Sequence, residues 1–301
     1  MTAVTDGPET TAPIEAGYKR TTVTERIVRF ARKQPIGAAG AVVVVVMIFA
    51  ALFADVLTPY DPEANSFEHM FTPPGVEFPM GTDEFGRDIL TRIIYGARTA
   101  LLIGLTSAFF GATIGLVLGV TSAFIGGKFD LLFQRFMDVF MAFPSIIMAL
   151  AIVSVLGTEM HFVILAITVP MIPNCARVVR SSALAIREIP YVDAARALGF
   201  SKTRIILRHI APNVMAPYLI MLTAFVGQGI LSEASLSYLG LGVQDPTPAW
   251  GLMLRGAAEE FAETAPWAAI FPGIAISLAV FGFNLFGDAL RDELDPRLRR
   301  E

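Results

Sequence analysis

Six long apolar segments without a lysine or arginine dominate the sequence, and they constrain the fold more than any other feature. They cover residues 36–54, 99–126, 138–157, 160–176, 213–235 and 266–287. A helix needs about 20 mostly apolar residues to cross a bilayer core of about 30 Å. Charged residues make up only 17% of the chain, below the roughly 25% of an average soluble domain. The sequence therefore predicts an all-α, polytopic membrane protein with six transmembrane helices.

Two of these segments need a further argument. The fourth contains Pro170, Pro173 and Asn174, and we predict a kinked span because neighbouring groups can satisfy the carbonyls that a proline frees. The stretch from Arg29 to Ala54 also has the basic start and apolar core of a signal peptide. Its apolar run is long for a signal core and a polar tail precedes it, which favours a retained first span.

The basic residues predict the orientation. With the N-terminus inside, 19 of the 23 Lys and Arg residues fall in the inner segments, as the positive-inside rule requires. We therefore expect residues 1–35 to be a disordered cytoplasmic tail, 36–290 to be the transmembrane domain with a cytoplasmic loop at 177–212, and 291–301 to be a cytoplasmic C-terminal tail. The net charge of −4 gives no reason to expect nucleic acid as a partner.

Small residues recur on one face of the second span. Gly111, Gly115 and Gly119 stand four apart, and Gly104 and Ala108 extend the strip. Small residues at this spacing let another helix backbone approach closely, which matters in lipid because no hydrophobic force drives helices together. The strip predicts tight packing within this chain, with contact to a second membrane subunit as the alternative.

The inner loop before span five predicts two short helices. Pro190 suits the first position of a helix, and Gly199 suits the left-handed position just past its end. Ser201 can cap a second helix, Lys202 to Ile210, which must end before Pro212. Helices this short are marginal alone in water. They either lie on the bilayer surface or form a peg for a cytosolic partner, and the residues alone favour neither.

Glu233 is the one ionisable residue clearly within a predicted span, and Gln228 and Ser232 lie beside it. Counted from Asn213 at 1.5 Å per residue, it lies about 30 Å along span five. This depth is near the outer boundary, where water can reach the carboxylate and burial costs less. Glu233 either bonds the loop that begins at Ser235 and holds an outer gate, or lines the path and contacts the substrate.

The chain lacks the motifs of an enzyme that binds nucleotide or metal. Its one Gly-Lys pair, Gly127-Lys128, has neither the first glycine nor the hydroxyl of a phosphate-binding loop. Its three histidines are scattered, so we expect no metal or other cofactor on this chain. The single cysteine, Cys175, excludes an internal disulfide and is expected to be a small packing residue.

The outer segment before span two contains Gly81-Thr-Asp-Glu-Phe-Gly-Arg-Asp88. Its glycines suggest a phosphate site, but its acidic residues oppose anion binding. We predict instead a capped amphipathic helix that starts after Asp83 and turns Ile89, Leu90, Ile93 and Ile94 towards the membrane. We interpret the acidic surplus of the outer segments as a solvated face, with attraction of a binding protein or a cationic substrate as the alternative.

The inner loop resembles the EAA loop of permease subunits of ATP-binding-cassette importers. That loop reads Glu-Ala-Ala, three residues, Gly, nine residues, then Ile-x-Leu-Pro, and the run Asp193-Ala194-Ala195 with Gly199 and Pro212 has this spacing. Asp193 replaces the glutamate, and His209 and Ala211 replace the isoleucine and the leucine. The acidic position is therefore kept but shortened, which leaves the detailed docking geometry open.

Three further stretches are similar to one branch of that family, the dipeptide, oligopeptide and nickel permeases. They are Met80–Asp88, Ser235–Gln244 with Trp250-Gly251, and Asn284–Asp292 with Leu294–Leu298. The resemblance extends over roughly residues 30–300 and is greatest to the C-type permease subunit of dipeptide importers. Because the match at residues 233–240 joins Glu233 to the loop motif, it favours the gate over the path-lining role.

The resemblance implies a type I importer permease fold in a bacterial inner membrane. It also implies three kinds of partner: a second permease subunit forming a heterodimer, two ATPase subunits that bind ATP and Mg, and an extracytoplasmic binding protein. The segment from Tyr191 to Gly199 would be the coupling helix seated in the ATPase, with Tyr191, Ala194, Ala195 and Leu198 on or near one face.

Two other classes of function make different demands on the sequence. A self-sufficient secondary transporter would show internal repeats and ionisable residues in several spans. An intramembrane enzyme would carry a catalytic acid pair, a Ser/His pair or metal ligands at membrane depth. The sequence shows neither set of features, so the importer subunit is the preferred hypothesis.

Overall fold

The computed structural model describes residues 22–259 and 261–294, and within them the chain is helical without a β-strand. Twelve α-helices follow one another along the described residues. They are α1 (Val23–Lys33), α2 (Pro35–Leu52), α3 (Ala54–Leu57), α4 (Ile89–Ile125), α5 (Gly127–Met141), α6 (Ser145–Leu156), α7 (Met160–Arg187), α8 (Pro190–Ala197), α9 (Lys202–Ile205), α10 (Met215–Tyr238), α11 (Trp250–Glu259) and α12 (Trp267–Leu294).

Five helical stretches are long and apolar enough to cross a membrane, and a bent helix pair supplies a sixth. The five lie at α2, α4, α7, Lys202–Tyr238 and α12. The all-α, polytopic fold predicted from the sequence is confirmed. Helix α4 packs along α7 and α10, while α2 and α10 both pack on α12.

The third predicted span, 138–157, is not one straight helix. Helices α5 and α6 meet at an angle of 84°. The break lies at Pro144, which has no N–H to continue the hydrogen-bond ladder of α5 and disfavours a helical conformation at the residue before it. Helix α6 therefore starts again at Ser145.

The helix before span two begins later than predicted and is continuous with the span. Asp83 Oδ1 accepts the N–H groups of Phe85 and Arg87, both at 2.9 Å, which holds a turn in place of a helix. Asp88 Oδ2 then accepts the N–H of Thr91 at 2.8 Å and caps α4. Ile89 is fully buried against the protein, so the prediction that it faces the membrane is wrong.

The second helix of the inner loop does not end before Pro212, as the sequence predicted. Ser201 caps α9 as expected, but a π turn over Ile206–Ile210 and a 3-10 turn over Ala211–Val214 lead directly into α10. The Ala211 N–H bonds the carbonyl of Ile206, five residues back. This wider turn accommodates Pro212, and the chain stays helical from Lys202 to Tyr238.

The tail and the fourth span also differ in detail from the predictions. Residues 23–33, placed in a disordered tail, form α1 with a capping box between Thr22 and Glu25; residues 1–21 and 295–301 lie outside the described residues. Helix α7 contains both Pro170 and Pro173 and extends to Arg187, beyond the predicted end of the span.

The glycine strip of α4 packs against α7 of the same chain. A Cβ added at Gly111 would lie 2.7 Å from Met171 Cβ, and one at Gly115 would lie 2.6 Å from Cys175 Cβ. Gly119 lies equally close to the backbone of α7. Cys175 is buried and its thiol donates to the Ala112 carbonyl at 3.3 Å. The strip therefore sets the distance between α4 and α7, as small residues do between helices in membranes.

Candidate coupling and gating sites

Helix α8 begins at Pro190 and ends before a left-handed glycine, as the sequence predicted. Gly199 has a φ of +76°, its N–H bonds the Arg196 carbonyl at 2.9 Å, and the Phe200 N–H bonds the Ala195 carbonyl at 3.1 Å. These two bonds satisfy carbonyls left free at the helix end. Gly199 therefore sets the direction in which the chain leaves α8.

Helix α8 has one attached side and one free side. Val192 and Ala195 are buried against the rest of the chain. Tyr191, Asp193, Ala194, Leu198 and Gly199 are exposed. The predicted face of Tyr191, Ala194, Ala195 and Leu198 is thus divided, because Ala195 lies on the attached side. The exposed side is the part of α8 that is free to contact another protein.

A hydrogen-bond cluster links α8 to the start of α10, and the sequence analysis missed it. Tyr191 Oη donates to the His209 carbonyl at 3.0 Å and accepts from Asn213 Nδ2 at 3.1 Å. Asn213 also donates to the His209 carbonyl at 2.7 Å. Since His209 and Asn213 lead into α10, a force on α8 reaches that span directly. Pro212, between them, is exposed.

Glu233 is fully enclosed, contrary to the expectation that water reaches it. Its side chain is 1% exposed, because α11 packs over this part of α10: a Cβ added at Gly251 would lie 2.1 Å from the Ala234 carbonyl oxygen. Ser237 Oγ donates to Glu233 Oε1 at 2.6 Å and accepts the Val243 N–H at 3.1 Å. Glu233 therefore bonds the outer loop through Ser237.

The polar residues singled out around Glu233, namely Gln228, Ser232 and Ser235, have different places, and Ser232 is half-buried beside Glu233 on α10. Ser235 Oγ donates back to the Leu231 carbonyl at 2.8 Å within the helix, so it does not bond Glu233. Gln228 is half-buried on α10, five positions before Glu233. The structure thus joins Glu233 to the loop after α10 and leaves Gln228 apart from that network.

A cluster of charged residues on the outer side was missed by the sequence analysis. We call it the outer cluster, and it consists of Asp83, Arg87, Arg92 and Asp245. Arg87 donates to Asp83 at 2.7 Å and to Asp245 at 3.1 Å. Arg92, 1% exposed, donates to the Pro62 carbonyl at 2.7 Å and lies within 3.8 Å of both carboxylates. The outer cluster joins the segment before α4 to the loop after α10.

A small cavity borders the buried side of the outer cluster, whereas the side chain of Asp245 is about half exposed. Glu84 borders a cavity of about 20 Å³ that also touches Arg92. Burial raises the pKa of Glu84 above its usual value, because removal from water disfavours the charged carboxylate. Nearer to solvent, Arg98 binds both oxygens of Asp55, at 3.0 and 2.9 Å, and holds the pKa of that carboxyl below its usual value.

The described residues offer no evident metal centre. Within residues 22–259 and 261–294, no group of three or more His, Cys, Asp or Glu side chains is placed to hold a metal ion. The carboxylates of Asp83 and Asp245 at the outer side are already paired with Arg87. Their arrangement suits a mechanical role, in which ion pairs and hydrogen bonds hold helix ends together.

Comparison with known proteins gives consistent matches along the chain. Residues 111–300 match the family described as binding-protein-dependent transport system inner membrane component. Residues 23–74 match the N-terminal transmembrane domain of oligopeptide transport permease C. The two matches together span most of the described structure and leave residues 75–110 between them.

Several curated relatives are similar over most of their length. A putative peptide transport system permease of Brucella abortus is 46% identical over 262 residues, 87% of this chain and 88% of the relative. A dipeptide transport system permease of Alkalihalophilus pseudofirmus is 38% identical over 89% of this chain and 88% of its own length. A glutathione transport system permease of Shigella flexneri is 42% identical over the same shares.

Solved structures show the same fold at low sequence identity. The MetNI methionine ABC transporter in an inward-facing conformation superposes with a TM-score of 0.58 at 18% identity. The match covers 69% of this chain and 98% of the solved chain. From the family match, the identity to full-length relatives and this shared fold, we conclude that the chain belongs to the inner membrane components of binding-protein-dependent transport systems, as a permease subunit of an ABC importer.

Proposed function

We propose that this permease subunit carries peptides or related small solutes, and that partner subunits supply the ATP hydrolysis. The relatives named for peptide, dipeptide and glutathione transport support the substrate class. The proposed partners are a second permease subunit, two ATPase subunits that bind ATP and Mg, and an extracytoplasmic binding protein. The chain itself binds no cofactor in this proposal.

The observation that carries the coupling role is the free side of α8. Its exposed residues lie opposite two buried ones, Val192 and Ala195, that anchor the helix. Tyr191 connects the same helix to the start of α10 through His209 and Asn213. We propose that an ATPase subunit contacts Asp193, Leu198 and their exposed neighbours, and that its movement reaches α7 and α10 through the anchored side.

Co-purification tests the partner assignment. The tagged chain, expressed in its native cell and solubilised in mild detergent, should bring along a second permease and an ATPase pair. In proteoliposomes with the binding protein, uptake should require ATP and should be competed by short peptides. Uptake by the chain alone, driven by an ion gradient, would instead show a secondary transporter. Uptake that requires ATP but ignores peptides would overturn only the substrate class.

The proposed orientation places both termini and α8 in the cytoplasm. Reporter enzymes fused at three positions should read outside, after Glu63, Glu159 and Glu260. Fusions at three other positions should read inside, after Lys128, Lys202 and Arg300. The positive-inside distribution of Lys and Arg gives this orientation. A cytosolic signal from the Glu260 fusion would contradict the arrangement of six spans.

A further inference from the structure

Helix α5 is attached to the rest of the chain in an unusual way for a membrane helix. Only Asp130 and Met137 are buried along its length. Its large apolar side chains point away from the chain, with Leu131, Leu132 and Val139 all more than half exposed. Its polar side instead faces α7. Helix α5 therefore relies on charged contacts for its position against α7.

Two ion pairs make this attachment, and we call them the inner rungs. In the first, Asp130 accepts from Arg180 through both carboxylate oxygens, with the Arg180 Nε bond at 2.6 Å. Ser122, at the end of α4, donates to the same carboxylate. In the second, Arg177 donates to Asp138. Bidentate arginine–carboxylate pairs fix geometry as well as supplying attraction.

The inner rungs border an open polar cavity. The cavity has a volume of about 480 Å³ and is lined by Gln134 and Arg135 as well as by the four rung residues. Arg180 lies seven residues before the end of α7, which corresponds to about 10 Å along the helix. A surface this polar faces water or protein, since charges in contact with hydrocarbon are costly. The Arg177–Asp138 pair is partly exposed, and such pairs are individually weak, so this rung can open and reform. Asp130 is buried, and removing one partner of a buried pair costs more.

Helix α5 is bounded by two glycines at its start and by a bend at its end. Gly126, which precedes it, and Gly127, its first residue, have φ values of +68° and +58°, and a Cβ added at Gly127 would meet nothing within 4 Å. The 84° bend at Pro144 follows it. Helix α7, by contrast, is fixed to α4 by the glycine strip and leads through Glu188 and Ile189 into α8.

We propose that the inner rungs are a releasable latch that positions α5 against α7 during transport, beyond the role of α8 in binding the ATPase. When the latch is closed, α5 follows the movement of α7, which is continuous with the coupling region. When the latch opens, α5 turns about the glycines at its start and the bend at Pro144, and the polar cavity widens. Asp130, Asp138, Arg177 and Arg180 are therefore positioning residues for the transport cycle.

The test uses the assembled transporter in proteoliposomes and measures uptake, ATP hydrolysis and one distance. The double variant Asp130→Asn with Asp138→Asn neutralises both carboxylates. It should lower the ratio of solute taken up to ATP hydrolysed by about tenfold or more, because the closed latch loses its ion pairs. Spin labels on α5 and α7 should show a longer and broader distance distribution. Asp130→Arg alone should have the same two effects. Asp130→Arg together with Arg180→Asp rebuilds that rung with the charges exchanged, and it should restore the native ratio and the native distance.

Arg135→Gln is the matched control. Arg135 lies 3.5 Å from Asp138 but sits on α5 itself, so it cannot hold α5 to α7, and its loss should leave the ratio and the distance unchanged. If the double neutralisation assembles poorly, Arg177→Gln alone, in the more exposed rung, provides the same readouts. A native ratio with a native distance in these variants overturns the latch. Loss of uptake together with hydrolysis, unrepaired by the exchange, also overturns it and indicates a fold defect.

Discussion

Replacing Gly199 by valine is expected to abolish ATP-driven uptake while the protein still inserts into the membrane. The residue has a φ of +76°, and an L-residue in the left-handed region costs about 1–2 kcal/mol, most of all when it is β-branched. That cost corresponds to a roughly 5- to 30-fold loss in the population of the correctly ended helix. No atom lies within 4 Å of an added Cβ, so the defect arises from the backbone alone.

The control for this variant is Gly199→Asn. Asparagine tolerates the left-handed region better than other non-glycine residues, and the open space around the position accepts its side chain. Gly199→Asn should therefore retain most of the uptake. Equal losses in the two variants would show that the backbone conformation is not the cause.

Reversing the charge at Asp193 tests the same coupling helix through its exposed side. The Asp193 carboxylate pairs with Arg196 at 2.8 Å and both side chains are solvent-exposed, so Asp193→Lys should cost the free chain little stability. A loss of ATPase association and uptake would then report on docking. Glu188→Lys, an equal charge change at an exposed residue just before α8, should leave both intact. Normal transport in both Asp193→Lys and Gly199→Val would show that the loop is a surface hairpin without a role in docking.

Glu233→Leu is expected to uncouple ATP hydrolysis from transport, whereas Glu233→Gln should keep much of the uptake. Glutamine retains an oxygen that accepts the Ser237 hydroxyl, as Glu233 does at 2.6 Å. Leucine leaves that buried hydroxyl without its acceptor, at a cost of about 1–3 kcal/mol, and loosens the loop held at Val243. ATP hydrolysis and uptake, measured together in proteoliposomes, separate the two outcomes.

Two serines complete this experiment. Ser237→Ala should reproduce the uncoupling of Glu233→Leu, because Ser237 carries the link to the Val243 N–H. Ser235→Ala should have little effect, because its hydroxyl bonds only within α10. A substrate-selective defect in Glu233→Gln, with stimulation of ATP hydrolysis intact, would instead favour a path-lining role for Glu233.

The sequence predicted features that depend on composition or on a single backbone position. Apolar length predicted the spans, Pro190 and Gly199 predicted the ends of α8, and glycine spacing indicated a close helix contact. Each of these follows from the chemistry of one segment. The break at Pro144 follows from one residue that has no N–H, and it was overlooked because the apolar run was treated as a single span. The π turn before Pro212 was mispredicted because it depends on how neighbouring turns redistribute hydrogen bonds.

The paired polar groups could not be found from local sequence. Asp245 is far along the chain from Arg87, and Tyr191 meets Asn213 only after the loop has folded. One available signal was overlooked: arginines are rare in the outer segments, and a basic residue that departs from the positive-inside rule needs a partner. The burial of Glu233 was missed because its depth was estimated from the rise per residue along α10 alone. That estimate does not include α11, which packs over this part of α10.

The outer cluster also has a consequence for the order in which the protein is made. Arg87 and Arg92 lie more than 150 residues ahead of Asp245 and Pro246, to which they bind. During synthesis both guanidinium groups leave the ribosome with Asp83 and the Pro62 carbonyl already made, but long before Asp245 and Pro246. The outer side can therefore close only after the fifth span has been inserted. Until then, an unfinished chain holds these two arginines with only part of their final contacts.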